Sequence, residues 1–318
     1  MLTGVFYLAA AVFLAGVTWR VATWAFTPEP FRIPTTTGQQ PSIATIRASK
    51  IESPATLAGV AGRMLLEVLV FRSLFRNTAP GRSDPATLCP PPVFFERKAL
   101  WLGAMAFHWS LLAIVVRHVR LFVEPVPAVV NAVAFVDSFF EVGLPAWYAS
   151  DVLVTAALVY LLARRLRDPL LRYLSLPADY LALGMLLLVV GSGIGMRYVG
   201  RVDLVALRTY TIGLAAFPVG AARWPVLPEP GAWFVVHLVS VSLLIAALPF
   251  TKLMHAAGVW LSPTRNQPND TRRRRYENPW NRTAPFHTYG EWEHEFRDKL
   301  VAAGLPLDGE AHAAADKV

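Results

Sequence analysis

The chain has 318 residues, of which 54% are hydrophobic and only 16% charged, with a mean hydropathy of +0.41. A soluble protein carries about 25% charged residues, so the composition excludes an ordinary soluble domain and indicates an integral membrane protein bedded in a lipid bilayer. The formal charge of +8 then reflects bases at the cytoplasmic ends of spans and not a nucleic-acid surface. The lone Cys89 excludes intrachain disulfides, a cysteine-ligated iron–sulfur cluster and a thiolate zinc site.

Five stretches approach the roughly 20 apolar residues a spanning helix needs: about 4–25, 99–122, 149–164, 179–199 and 232–260. The first has no basic residue before Arg20, so it is expected to be a retained span and not a cleaved signal. The third is short and is expected to extend back through Trp147 and Ala146. No span is expected to be broken by a mid-membrane proline. Residues 56–75 are apolar but contain Arg63, Glu67 and Arg72. A central Arg costs about 2.5–3.5 kcal/mol on insertion, so this segment is expected to lie as an interfacial helix on the cytoplasmic leaflet, or partly buried against a partner. Residues 126–144, with Pro127, Asp137 and Glu141, predict an outer re-entrant or surface helix. Beyond Leu261 the tail turns polar, with an arginine run at 272–275 and an acidic rear of Glu291, Glu293, Glu295 and Asp298. Such a run anchors on anionic lipid or docks a cytoplasmic subunit.

Loop charges set the expected topology. The 27–98 insert carries nine bases between Arg32 and Lys98, and the loop after the third span carries Arg164, Arg165, Arg167 and Arg172. Residues 123–148 hold no Lys or Arg at all. Bases collect in the cytoplasm, so an all-α protein with five transmembrane helices is expected, N-terminus outside and C-terminus inside. The expected divisions are a first span (1–26), a cytoplasmic insert (27–98), a core (99–261) and a cytoplasmic tail (262–318).

Only seven histidines occur, and four of them, His108, His118, His237 and His255, lie inside apolar spans. An imidazole in hydrocarbon must find a hydrogen bond or a metal. Taken as one straight helix, the fifth span would put His237 and His255 on one face about 27 Å apart, while His108 and His118 are separated by about 15 Å. The two spans run in opposite directions, so depth matches His108 with His255 near the cytoplasmic side and His118 with His237 near the outer side. Two bis-imidazole b haems follow, which carry electrons but leave no open iron position. Histidines used as polar glue between helices are the alternative.

The ten- and eighteen-residue histidine spacings on the second and fifth spans, the five spans and the cytoplasmic tail resemble the gamma subunit of respiratory nitrate reductase. That resemblance implies a di-haem cytochrome b working with quinol. The long insert and the tail, with its arginine run and Asn-Pro-Trp-Asn at 278–281, look more like the DsrM-type cytochrome b subunits of dissimilatory sulfur metabolism. By that resemblance the partners are a cytoplasmic heterodisulfide-reductase-like iron–sulfur protein, a membrane quinone-interacting subunit, a multihaem cytochrome c and a ferredoxin-like protein. The substrate is menaquinone or another quinone. Gamma subunits use a lysine near the outer haem, whereas no Lys stands between Lys98 and Lys252 here.

Further candidates surround the histidines. Gly191, Gly193 and Gly195 allow close approach of a helix or a porphyrin face. Arg117, Arg120, Arg197, Tyr198 and Arg201 suit haem propionates at the outer end or snorkel to lipid, and Lys252 serves the inner haem or anchors its helix. Asp137 and Glu141, four residues apart among aromatics, are either surface acids or proton acceptors for quinol. The tryptophans near span ends, among them Trp101 and Trp109, are expected at the membrane interface.

Overall fold

A computed structural model describes residues 2–27, 38–41, 47–80, 94–138, 147–200, 202–216, 225–226, 230–270, 287–305 and 307. The apolar N-terminal run forms helix α1 (Leu2–Ala25). In the insert, α2 (Leu57–Val70) opens on Thr56, whose hydroxyl accepts from the Gly59 N–H, and stops at Phe71. Phe71 is left-handed at φ 49°, an uncommon conformation for a bulky residue. A short α3 (Arg72–Phe75) follows, then an antiparallel ribbon of β1 (Thr78–Pro80) and β2 (Phe94–Glu96) pairing Thr78 with Glu96. Helix α4 (Lys98–His118) tightens into a 3-10 turn through Leu121. Next come α5 (Ala128–Asp137), α6 (Ala149–Arg167) and α7 (Pro169–Leu174), the last capped by the Asp168 carboxylate. Helix α8 (Pro177–Ile194) widens into a π-turn over Gly195–Val199. Then follow α9 (Leu204–Ala215), α10 (Ala232–Ala247), α11 (His255–Gly258) and α12 (Pro263–Asn266). Residues Arg275–Val318 form a separate unit whose described helix, α13 (Tyr289–Ala302), starts with a reciprocal cap between Thr288 and Glu291.

Apart from the ribbon, the described structure is helical. Four helical segments are long and apolar enough to cross a membrane: Leu2–Ala25, Lys98–Leu121, Pro177–Val199 and Ala232–Phe250. Large apolar side chains such as Leu8, Leu14, Leu102, Val115, Leu188 and Leu243 are exposed along them, as lipid contact requires. The protein is a multi-pass membrane protein. Helix α6, the expected third span, is 19 residues long but carries Asp151 in its first turn and Arg164, Arg165 and Arg167 in its last. It nonetheless supplies the most deeply buried residues: Val154 and Leu158 are fully buried, packed with Phe107 of α4 and Leu186 of α8. A second cluster joins Leu207, Tyr210 and Leu214 of α9 to Phe234 of α10 and to Phe6 and Tyr7 of α1.

The expected unbroken helix over 232–260 is not what forms. Pro249 has no N–H to donate and its ring opposes the preceding turn. The chain tightens at Leu248–Phe250, becomes extended at Thr251 (ψ 174°) and restarts with the Thr251 hydroxyl accepting from the Leu253 N–H. Gly16 of α1 makes room for this kink: a Cβ there would lie 2.8 Å from the Pro249 ring.

Residues 57–70 and 72–75 are helical as expected, but Arg63 and Glu67 are buried within the chain itself. Arg63 donates to the carbonyls of Glu52, Arg265 and Gln267, and Glu67 pairs with Arg265 at 2.9 Å and accepts from the Ser73 N–H at 2.8 Å. The Asn269 N–H closes the contact on Pro54 O at 2.7 Å. In the outer-loop segment the described residues include one α-helix, Ala128–Asp137. Glu141, Arg201, the arginine run 272–275 and the motif at 278–281 lie outside the described residues.

Candidate functional site

The four span histidines meet in two pairs. The His108 and His255 rings have centroids 5.9 Å apart at 82°, and the His118 and His237 rings 6.4 Å apart at 31°. Each ring is held by its Nδ1. His108 donates to Ala104 O (2.8 Å), His118 to Ile114 O (2.7 Å) and His255 to Lys252 O (2.8 Å). His237 instead pairs with the Ser192 hydroxyl of α8 at 3.0 Å. An engaged Nδ1–H fixes the tautomer and leaves Nε2 as the basic nitrogen, the state in which imidazole binds a metal. Two metal–nitrogen bonds of about 2.0–2.1 Å, with about 1.1 Å from each nitrogen to its ring centre, place two ligand rings roughly 6 Å apart. Both observed separations fit. Among the described residues no group of three or more His, Cys, Asp or Glu is arranged to hold a bare metal ion. Imidazole pairs at these separations suit a metal whose remaining ligands come from a macrocycle, as in haem.

The kink delivers His255. It is the first residue of α11, one turn past the Thr251 break, and it is exposed, whereas the other three rings are partly covered. His108 is backed by the edge of Phe71, 4.9 Å between ring centres. Phe71 is held there because the indoles of Trp109 and Trp101 donate to Leu69 O (3.1 Å) and Val70 O (2.7 Å), the last carbonyls of α2. These two tryptophans therefore clamp the end of α2 in the insert.

Around the other pair the expected residues fall differently. Arg117 is buried and forms ion pairs with Asp137 (2.9 Å) and Asp151 (2.8 Å). Asp137 also accepts from the Ser150 N–H and hydroxyl at 2.8 and 2.7 Å. Tyr198 donates to Asp151 at 3.0 Å and stacks on Trp147. The Tyr148 ring lies between the guanidinium of Arg117 (3.6 Å) and that of Arg197 (4.2 Å). Arg117 thus serves buried carboxylates, and Asp137 is a buried partner of it and not a surface acid. Arg120 is exposed. Helix α5 ends at Asp137, and Glu141 lies outside the described residues. Lys252 pairs with the buried Asp179 at 2.7 Å, which Arg165 also approaches at 3.4 Å.

Gly191 and Gly193 of α8 and Gly195 of the π-turn do three different things. A Cβ on Gly193 would meet His237 Cε1 at 3.1 Å, one on Gly195 would meet the Trp233 ring at 2.4 Å, and one on Gly191 would meet nothing. Two of them thus admit rings of α10. The sequence reading missed Ser192, Ser150, Asp151 and Asp179. Ser192 was within reach of it, since a serine amid those glycines is the one hydrogen-bonding side chain of the patch.

Comparison with known proteins identifies the family of the chain. The family model of the nitrate reductase gamma subunit matches residues 91–268, which include all four histidines. A protein named Hdr-like menaquinol oxidoreductase cytochrome b-like subunit from Archaeoglobus fulgidus is 41% identical over 278 residues, covering 86% of this chain and 81% of the relative. Its namesake from Archaeoglobus profundus is 38% identical over 287 residues, covering 86% and 80%. Both matches are longer than the family core, so they reach into the insert or the tail, consistent with a DsrM-type cytochrome b. The nitrate reductase gamma chain of Bacillus subtilis is 29% identical over 167 residues, 50% of this chain and 73% of its own length. The chain belongs to the nitrate reductase gamma subunit family.

Proposed function

We propose that this protein is the membrane cytochrome b of a quinone-linked oxidoreductase complex, holding two b haems between its histidine pairs. His108 and His255 hold the inner one, and His118 and His237 the outer one. Helix α6 joins the four long apolar helices as the third of five spans, giving an N-terminus outside and a C-terminus in the cytoplasm. The observation that carries the reading is the pair of ring separations, 5.9 and 6.4 Å, with Nδ1 of every ring already engaged. Bound there, haem would supply one-electron transfer.

The protein orients the rings through their Nδ1 partners. Phe71 and Phe107 cover His108, each with its ring centre 4.9 Å away. Asp137 and Glu141 are the proton acceptors proposed for quinol. Asp137 stands with Asp151 around Arg117, beside the aromatic faces of Tyr148 and Trp147. With Arg117 committed to those carboxylates and Lys252 to Asp179, the cations proposed for outer propionates are Arg120, Arg197 and Arg201. The Archaeoglobus relatives, named as menaquinol oxidoreductase subunits, support menaquinol as substrate and a multisubunit setting. The partner proposed is a cytoplasmic heterodisulfide-reductase-like iron–sulfur subunit of a DsrM-type sulfur-metabolism complex, with electrons passing between it and the quinone pool.

A pyridine haemochrome assay on the purified chain tests this. Two b haems per chain, both reducible by menaquinol, are expected. A count of none or one would overturn the two-haem arrangement.

A further inference from the structure

Three of the four ring-bearing histidines rest their Nδ1 on a main-chain carbonyl three or four residues earlier in their own segment. His237 does not. Its Nδ1 meets the hydroxyl of Ser192 on α8 at 3.0 Å, and that hydroxyl in turn donates to Val189 O at 3.0 Å. Ser192 is 3% exposed; with its proton on Val189 O, its oxygen is placed to accept from the imidazole N–H. The next residue, Gly193, leaves the space the ring occupies: a Cβ there would stand 3.1 Å from His237 Cε1.

We infer that Ser192 is a positioning residue for His237, and that the Ser192–Gly193 step of α8 is the seat that sets the ring plane and donor strength of this one haem ligand. The inference rests on the proposed haem reading. Its physical basis is that a partner at Nδ1–H pushes electron density onto Nε2, which makes the imidazole a stronger donor and favours the oxidised metal. An acceptor on a neighbouring helix also makes the ring plane depend on how α8 and α10 pack, which an acceptor on the histidine's own helix does not. The seat therefore tunes the outer site and leaves the inner one alone. Arg197 and Tyr198 follow Gly195 in the π-turn, so any shift of α8 that moves the seat also moves the residues around Asp151.

The test uses the whole chain in membranes, with Ser192→Ala, Ser192→Thr and Gly193→Ala. Potentiometric titration and low-temperature EPR of the oxidised protein are read for both haem components, and haem content is measured in parallel. Ser192→Ala is expected to raise the midpoint potential of the outer component and move its low-spin g-values while the inner component stays fixed. Ser192→Thr keeps the hydroxyl and is expected to restore both. Gly193→Ala, which crowds the ring, is expected to move the outer g-values with the hydroxyl still present. Two haems with an unchanged outer component in Ser192→Ala would show that the Val189 carbonyl, which also faces the ring, orients His237 by itself, and would overturn the inference. Absence of haem from the unaltered chain would instead overturn the functional reading beneath it.

Discussion

The two histidine pairs are built on opposite plans. At the His118–His237 end the surroundings are buried and ionic: Arg117, Asp137 and Ser150 are each under a tenth exposed, and the residues joined there come from α4, α5, α6 and the π-turn after α8. At the His108–His255 end one histidine starts a four-residue helix after a proline break and is exposed, and the other is covered by an aromatic ring from the insert. A buried charge network of this kind has one low-energy arrangement and fixes its neighbours. A short helix beyond a kink has few internal hydrogen bonds to resist movement. The first end is therefore the more rigid one; at the second, Lys252 ties the His255 segment to the buried Asp179, and the ring over His108 comes from the insert.

The largest test of that contrast is removal of single rings. His118→Ala and His237→Ala are expected to lose the same haem component, and His108→Ala and His255→Ala the other, each lowering haem content by about half because a bis-imidazole site lacks a ligand when either ring is gone. Redox titration of the four variants checks the pairing. A common component lost in His108→Ala and His237→Ala would break it.

A smaller effect is expected from Arg117→Ala. Removing one partner of a buried ion pair costs about 3–5 kcal/mol because the other charge is left uncompensated, and here two carboxylates, Asp137 and Asp151, are left. Thermal unfolding in detergent, followed at the haem absorption band, should show a marked loss of stability. The outer component should become heterogeneous while the inner one is spared. Equal damage to both components would mean that the ionic network supports the whole bundle and is not particular to one end.

Much of this was legible in the chain and some was not, for identifiable reasons. The long helices follow from apolar runs, and the pairing of the histidines follows from depth on antiparallel spans, because both depend on local sequence and direction alone. Pro249 stood in plain view inside an apolar run. Its consequence depends on Gly16 of α1 making room for the kink, a contact across more than two hundred residues. Arg63 and Glu67 looked misplaced on an interfacial helix, since nothing in residues 56–75 shows that the carbonyls of Arg265 and Gln267 and the Arg265 side chain will meet them. The Arg117 network draws on four separate segments, and no spacing rule brings Ser150 to Asp137 or Tyr198 to Asp151. Hydropathy reports burial; it does not report which buried polar groups will find one another.

The smallest expected effect lies in the insert and concerns acid. Glu52 receives Arg72 at 2.6 Å and Arg76 on the same carboxylate oxygen. Burial pushes this carboxyl up, but the hydrogen bonds and charges of the two arginines outweigh it and hold the group below its ordinary value of 4.5. A carboxylate depressed by folding contributes stability that is present above its unfolded pKa and is lost as pH falls through the lower folded value. The contact of residues 49–76 with the 262–270 segment should therefore be unchanged from neutral pH down to about 5 and loosen only below about 4. The same loosening would uncover Phe71 and so His108, at the less rigid end. Hydrogen exchange of α2 amides against pH checks this: a protected α2 at pH 6 that exchanges faster near pH 3.5 is expected, with Glu52→Gln lowering protection at pH 6 and flattening the acid dependence. Since the pair is partly solvated, screening keeps the gain modest. If α2 exchange rose equally in Glu52→Gln and the unaltered chain as pH fell, acid would be acting elsewhere, with Glu67, buried against Arg265, the next carboxylate to replace.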